Sequence, residues 1–126
     1  MDAELSLVMA NMALSKAGSF VYDPFVGTGS FLCSCSAFGA FTIGSDIDGR
    51  QIRGNHENGG IEANIAQYQL QTMVLDTVVC DISRHPWRTR PLFDAIVCDP
   101  PYGVRAGAKK VAPNPMQHES KYKKYA

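Results

Sequence analysis

The chain has 126 residues, with 12 Lys and Arg against 12 Asp and Glu. That length fits one small domain with a core of marginal to adequate size, and the neutral balance gives no whole-chain pull toward nucleic acid or membrane. No apolar run reaches membrane-spanning length, no signal peptide is read ahead of the first element, and there is no internal repeat.

Along the chain, residues 1–18, MDAELSLVMANMALSKAG, predict a helix. Asp2 caps it, Glu4 favours its first turn, and Gly18 stops it. Leu5, Val8, Met9 and Met12 fall on one face at helical spacing. SFVYD is a short buried strand, followed by the loop PFVGTG. Residues 30–38 predict a second helix, ended by Gly39, and AFTIGSD a second strand. DGRQIRG predicts a helical turn with Asp48 near its start, and HENGG a loop. GIEANIAQYQLQ, residues 60–71, is helical in pattern, with Ile61, Ile65 and Tyr68 aligned. MVLDTVVCD is a third strand, SRHPWRTRP a loop with two prolines, and LFDAIVCD, residues 92–99, a fourth strand. PPYG cannot continue that strand, because proline has no ladder donor.

Apolar strands alternating with helices predict an α/β fold: a mostly parallel sheet covered on both faces. Residues 83–91 are too few and too proline-rich for a full crossover helix, so the chain returns there as an irregular loop. A doubly wound sheet places the strands in the order third, second, first, fourth. The first and fourth then lie side by side at the switch point, where ligands bind.

Each strand ends in aspartate: VYDP, GSDID, VCDI and VCDPPY. These acids fall on the carboxyl edge of the sheet, around one crevice. Asp23 can brace its turn or reach a ligand amine. Gly27 and Gly29 let the backbone approach a ligand closely, although a bare glycine turn has the same pattern. Asp46 suits the hydroxyls of a ribose, and Asp48 suits a helix cap. Asp81 can accept from the exocyclic amine of a purine, with Ile47 and Ile82 flanking the ring; a turn-forming aspartate fits Asp81 almost as well. In DPPY, Pro100 and Pro101 make a rigid extended corner. Asp99 and the Pro100 carbonyl can engage the hydrogens of a substrate amine, and Tyr102 can stack on a planar base. Pro101 borders the same corner. Arg105 lies on the next loop, where it can hold a phosphate, orient Asp99 or simply sit on the surface. Trp87 reads as a plug over the sheet edge.

Leu32 stands where the third glycine of GxGxxG would be, and no Lys follows Gly29. That argues against a dinucleotide and a nucleoside triphosphate. A ligand with ribose, adenine and an amino-acid tail fits the acids better, namely S-adenosylmethionine. Cys33, Cys35, Cys80 and Cys98 match no zinc spacing, and His56, His85 and His118 are scattered, so no metal site is expected. Three of the cysteines lie in or beside apolar runs and read as reduced thiols, which suits a cytoplasmic protein. From Val104 onward six Lys or Arg face Glu119 alone. Such a tail meets a polyanion or is simply a solvated end.

DPFVGTGSFL, GSDIDGRQIRG, GIEANIAQY, LFDAIVCDPPYGVRAGAKK and the opening MDAELSLVMANMAL together resemble the catalytic domain of the tRNA (guanine(10)-N2)-methyltransferase catalytic subunit family. The resemblance runs over nearly the whole chain. It implies a Rossmann-like class I methyltransferase fold, S-adenosylmethionine as cofactor, and methylation of a guanosine N2 amine in tRNA. By the resemblance, Asp23, Gly27 and Gly29 surround the cofactor's amino-acid end, Asp46 holds its ribose, Asp81 sits by its adenine, and residues 99–102 receive the guanine amine. It further implies an upstream RNA-binding module and a small zinc-binding activator subunit. Against that pattern, residues 1–126 read as a partial methyltransferase domain, cut short after the fourth strand. DPPY leaves other amines open, such as adenine N6 in DNA or a protein glutamine. A truncated, non-catalytic fragment that binds a partner subunit is the reading from another class.

Overall fold

The computed structural model describes residues 2–54, 57 and 59–103. The elements run α1 (Ala3–Met12), β1 (Phe20–Asp23), α2 (Ser30–Ala37), β2 (Phe41–Asp46), α3 (Gly49–Arg53), α4 (Gly60–Gln67), β3 (Val74–Val79), a 3-10 turn (Ile82–Arg84) and β4 (Ala95–Ile96). The four strands form one parallel sheet in the order β3-β2-β1-β4, as expected for a doubly wound chain.

β1 lies centrally. It pairs with β2 from Phe20↔Phe41 to Asp23↔Gly44, and with β4 through Val21↔Ala95 and Tyr22↔Ile96. β4 is much shorter than the expected residues 92–99. Two flanking bonds lengthen its pairing: Asp94 N–H donates to Phe20 O at 2.8 Å and Val97 N–H to Tyr22 O at 3.0 Å. Pro91 precedes this stretch and Pro100 follows it, which limits how far a ladder can extend.

Three helices close with the same pair of backbone bonds, a Schellman motif. At the end of α2, Ala40 N–H donates to Cys35 O and Gly39 N–H to Ser36 O, with Gly39 at φ 93°. At the end of α1 the left-handed position is Leu14 at φ 56°, and Ser15 N–H donates to Ala10 O at 3.1 Å. At the end of α4 it is Gln69 at φ 55°, and Leu70 N–H donates to Ile65 O at 3.0 Å. Gly18 therefore does not stop the first helix, which ends at Met12, and α4 ends at Gln67 rather than residue 71. Asp2 and Asp48 do cap their helices, accepting from Glu4 N–H and Arg50 N–H.

The buried face of α1 also departs from the expected stripe. Ser6 and Ala10 are buried and Met9 is half-buried, while Leu5, Val8 and Met12 are exposed. Small side chains let α1 approach α2 closely. Ala10 and Cys35, both fully buried, meet in one core cluster with Val21, Phe31, Ala40 and Val97. A second cluster joins Val26, Leu32, Ile52, Ile61 and Val74, and so seats α3 and α4 beside α2. The helices of both clusters share the sheet face that carries Val21. The opposite face, where helices were also expected, carries Tyr22, packed against Phe93 at 4.8 Å and Trp87 at 5.3 Å between ring centroids. Trp87 thus packs on the face of the sheet, against Tyr22 of the inner strand β1, rather than over the sheet edge as expected.

Candidate functional site

The site is built where β1 and β4 end side by side. Asp23 closes β1 and is 1% exposed. Its Oδ1 accepts from Phe25 N–H at 2.9 Å, which sets the turn into the glycine loop. Its Oδ2 is buried with no hydrogen-bond partner. Burial raises the Asp23 carboxyl from 3.8 to about 7, with the negative charges of Asp46 and Asp99 adding to the rise. Those charges place the ends of β1, β2 and the Asp99 corner close enough to sense one another.

The glycine loop turns tightly above this acid. Gly27 and Gly29 have φ values of 50° and 86°, in the left-handed region that disfavours a Cβ. A Cβ at Gly29 would also stand 3.1 Å from Ile61 Cγ2. Asn64, which sequence reasoning passed over, holds the loop from the side: its Nδ2 donates to Thr28 O at 3.1 Å. The pattern signal was available, since Asn64 lies one helical turn after Ile61 and Gly60.

Asp46 ends β2 with both oxygens engaged. Oδ2 accepts from Gly27 N–H and Oδ1 from Asp48 N–H, each at 2.9 Å. Each oxygen keeps a second lone pair for a hydroxyl. Ile47 is half-buried beside it. Asp81 lies two residues past β3, buried, and caps the 3-10 turn by accepting from Ser83 N–H at 2.9 Å and Ser83 Oγ at 2.8 Å. Ile82 follows it and is exposed.

Asp99 lies three residues past β4 and is exposed, as are Pro100 and Tyr102, while Pro101 is half-buried. The Tyr102 hydroxyl donates to Asp99 Oδ1, a pairing sequence reasoning did not foresee. It raises the phenol's pKa. Arg105 and the basic tail lie outside the described residues. Burial, followed by the charges of Asp23 and Asp99, pushes the Cys98 thiol up, so Cys98 is a poor nucleophile at neutral pH.

A groove of about 520 Å³ runs along the outer side of α2, between α1 and α4. Of the predicted site residues, Gly29 alone lines it. The acids occupy a different place, the carboxyl rim of the sheet. That rim combines an unpaired buried carboxylate oxygen, a tight glycine turn and a second carboxylate with spare acceptors. Such a donor set fits a ligand bearing a cationic amine and a ribose. Among the described residues no group of three or more His, Cys, Asp or Glu could hold a metal ion, and no helix is long and apolar enough to cross a membrane.

Known proteins resemble this chain in sequence and in fold. The family described as UPF0020, RMKL-like, methyltransferase domain matches residues 1–119. A tRNA (guanine(10)-N(2))-methyltransferase of Schizosaccharomyces pombe is 62% identical over 112 residues, covering 88% of this chain and 24% of that protein. The human protein of that name is 44% identical over 121 residues, covering 87% of the chain and 26% of the relative. The chain thus spans about a quarter of the length of these relatives. The crystal structure of TrmN from Thermus thermophilus superimposes with a TM-score of 0.64 over 82% of this chain and 29% of that one, at 24% identity, a likeness of fold.

Proposed function

Because the chain belongs to the UPF0020 family of RMKL-like methyltransferase domains, we propose that it is part of an S-adenosylmethionine-dependent enzyme that methylates the exocyclic N2 amine of a guanosine in tRNA. One observation carries the reading. The buried, unpaired Oδ2 of Asp23 ends β1 beside the strand that leads into Asp99-Pro100-Pro101-Tyr102. That neighbourhood supports a reading in which the cofactor end and the amine end of a transfer reaction share one switch point. The names of the similar proteins support guanosine in tRNA as the substrate.

S-adenosylmethionine supplies an electrophilic methyl group when bound. Asp23 Oδ2 receives its cationic amine, and the left-handed turn at Gly27 and Gly29 gives its amino-acid end close backbone. Asp46 accepts from the ribose hydroxyls. Asp81, Ile47 and Ile82 border the adenine. Tyr102 stacks on the target base and Pro101 walls it. Asp99 and the Pro100 carbonyl accept the two N2 hydrogens, so the nitrogen is held with its lone pair directed outward. As that nitrogen becomes positive, Asp99 stabilises the charge and takes the proton the amine sheds. Alignment contributes much of the rate. Cys80 and Cys98 take no part. Arg105, three residues past Tyr102 in the sequence, is assigned a substrate phosphate as part of this proposal.

We also propose a small zinc-binding activator subunit and a cytoplasmic setting, both on the sequence resemblance and the reading of reduced thiols. The test is methyl transfer from labelled S-adenosylmethionine by the intact protein to tRNA, DNA and protein, followed by nucleoside digestion. N2-methylguanosine from tRNA is the expected product, and label in DNA or protein instead would overturn the assignment. Turnover with and without the added subunit tests the partner.

A further inference from the structure

The sequence pattern casts Asp46 as a ribose acceptor, yet the fold already employs its two oxygens. Oδ2 holds Gly27 N–H and Oδ1 holds Asp48 N–H, both at 2.9 Å. One carboxylate therefore ties together two segments: the glycine loop after β1 and the turn that starts α3. The other bonds of that loop lie on either side of Gly27, beginning with Phe25 N–H to Asp23 Oδ1 at 2.9 Å. Val26 N–H donates to Ser45 O at 2.9 Å, Gly29 N–H to Val26 O at 2.8 Å, and Asn64 holds Thr28 O at 3.1 Å. Between Val26 and Thr28, the bond that fixes Gly27 comes from the Asp46 side chain. Gly27 sits at φ 50°, a conformation that glycine tolerates but does not require, so the bond selects it from several.

We infer that Asp46 is a positioning residue for the glycine loop, coupling occupancy of the sugar subsite to the shape of the loop at the amino-acid subsite. The inference rests on the proposed cofactor site and deepens it. Asp46 accepts a charge-assisted bond from Gly27 whether or not a sugar is present. A ribose that engages the remaining lone pairs fixes the carboxylate, and the carboxylate fixes the loop. The two halves of the ligand then bind better together than their separate contacts require.

The test uses Asp46→Ala in the intact protein, a change that removes the acceptors of both Gly27 N–H and Asp48 N–H. Without ligand, amide hydrogen exchange at Gly27 should speed up on the order of tenfold, the loss expected of a bond to a charged group. Exchange at Val26, bonded to a backbone carbonyl, should stay unchanged and reports that the variant is folded. Unchanged exchange at Gly27 beside a protected Val26 overturns the clamp. With ligand, calorimetry compares S-adenosylhomocysteine with 5′-methylthioadenosine, which lacks the amino-acid end. The clamp predicts that the variant loses several-fold more affinity for the first than for the second. Equal losses mean that the Gly27 bond does not shape the amino-acid subsite, and overturn the coupling. Failure of the unaltered protein to bind either compound instead removes the cofactor reading, while the exchange measurement still decides the clamp.

Discussion

The Tyr102 hydroxyl donates to Asp99 Oδ1 three residues back, and both side chains are exposed at the carboxyl end of β4. The pairing orients the carboxylate at the corner that follows β4. On the proposed roles, Asp99→Ala in the intact protein is expected to leave S-adenosylhomocysteine affinity within about twofold while cutting single-turnover rate a hundredfold or more, roughly the range for a lost proton acceptor. Calorimetry beside single-turnover kinetics checks this, and parallel losses in both would remove Asp99 from the chemistry.

Asp23 predicts a pH dependence of stability. Its carboxyl titrates at about 7 in the fold against an ordinary value of 3.8, because burial penalises the charge. The folded state thus holds the proton more tightly than the unfolded one. The stability this gives is fully present below about pH 4 and is lost as pH rises toward and through 7. Asp23→Asn, which keeps an acceptor for Phe25 N–H, should match the unaltered protein near pH 4. By pH 8 it should be more stable by up to roughly 4 kcal/mol, and it should bind the cofactor poorly. Urea unfolding at several pH values gives the difference, and a pH-independent one contradicts the assignment.

Gly29 is constrained twice, by its φ of 86° and by Ile61, whose Cγ2 would lie 3.1 Å from an added methyl carbon. Gly29→Ala should cost about 1–2 kcal/mol from the left-handed backbone alone, plus a shift of Ile61 in the second core cluster. A lower urea midpoint with an unchanged slope is the expected result.

Tyr22 and Ser45 share a buried hydroxyl pair at 2.6 Å across β1 and β2. Tyr22→Phe keeps the ring against Phe93 and Trp87 but leaves Ser45 Oγ unpaired. The loss should be about 1–2 kcal/mol. The double variant Tyr22→Phe with Ser45→Ala should recover part of it, and thermal melts of the single and double variants measure the coupling.

Local chemistry was readable wherever one residue type answers one local need. Apolar runs marked the strands, Asp2 and Asp48 marked helix starts, and Gly39 marked the end of α2. The ends of α1 and α4 were misplaced because Leu14 and Gln69 take the left-handed position. Neither side chain advertises that conformation, and the backbone bonds of the closure stabilise it. The face of α1 was misread for a related reason. Hydrophobic spacing selected Leu5, Val8 and Met12, but close contact between α1 and α2 favours the small Ser6 and Ala10.

From the chain alone came the parallel order of strands, the aspartates at their ends and the rigid proline corner, since each follows from periodicity, backbone restriction and handed crossovers acting locally. Only the tertiary structure decided what those aspartates do before any ligand arrives: Asp23 keeps one oxygen unpaired in the interior, Asp46 joins the glycine loop to α3, and Asp81 caps a turn. Their partners lie on other segments or in turns whose shape depends on packing, and burial depends on the whole assembled sheet, so identical side chains at equivalent strand ends acquire different work.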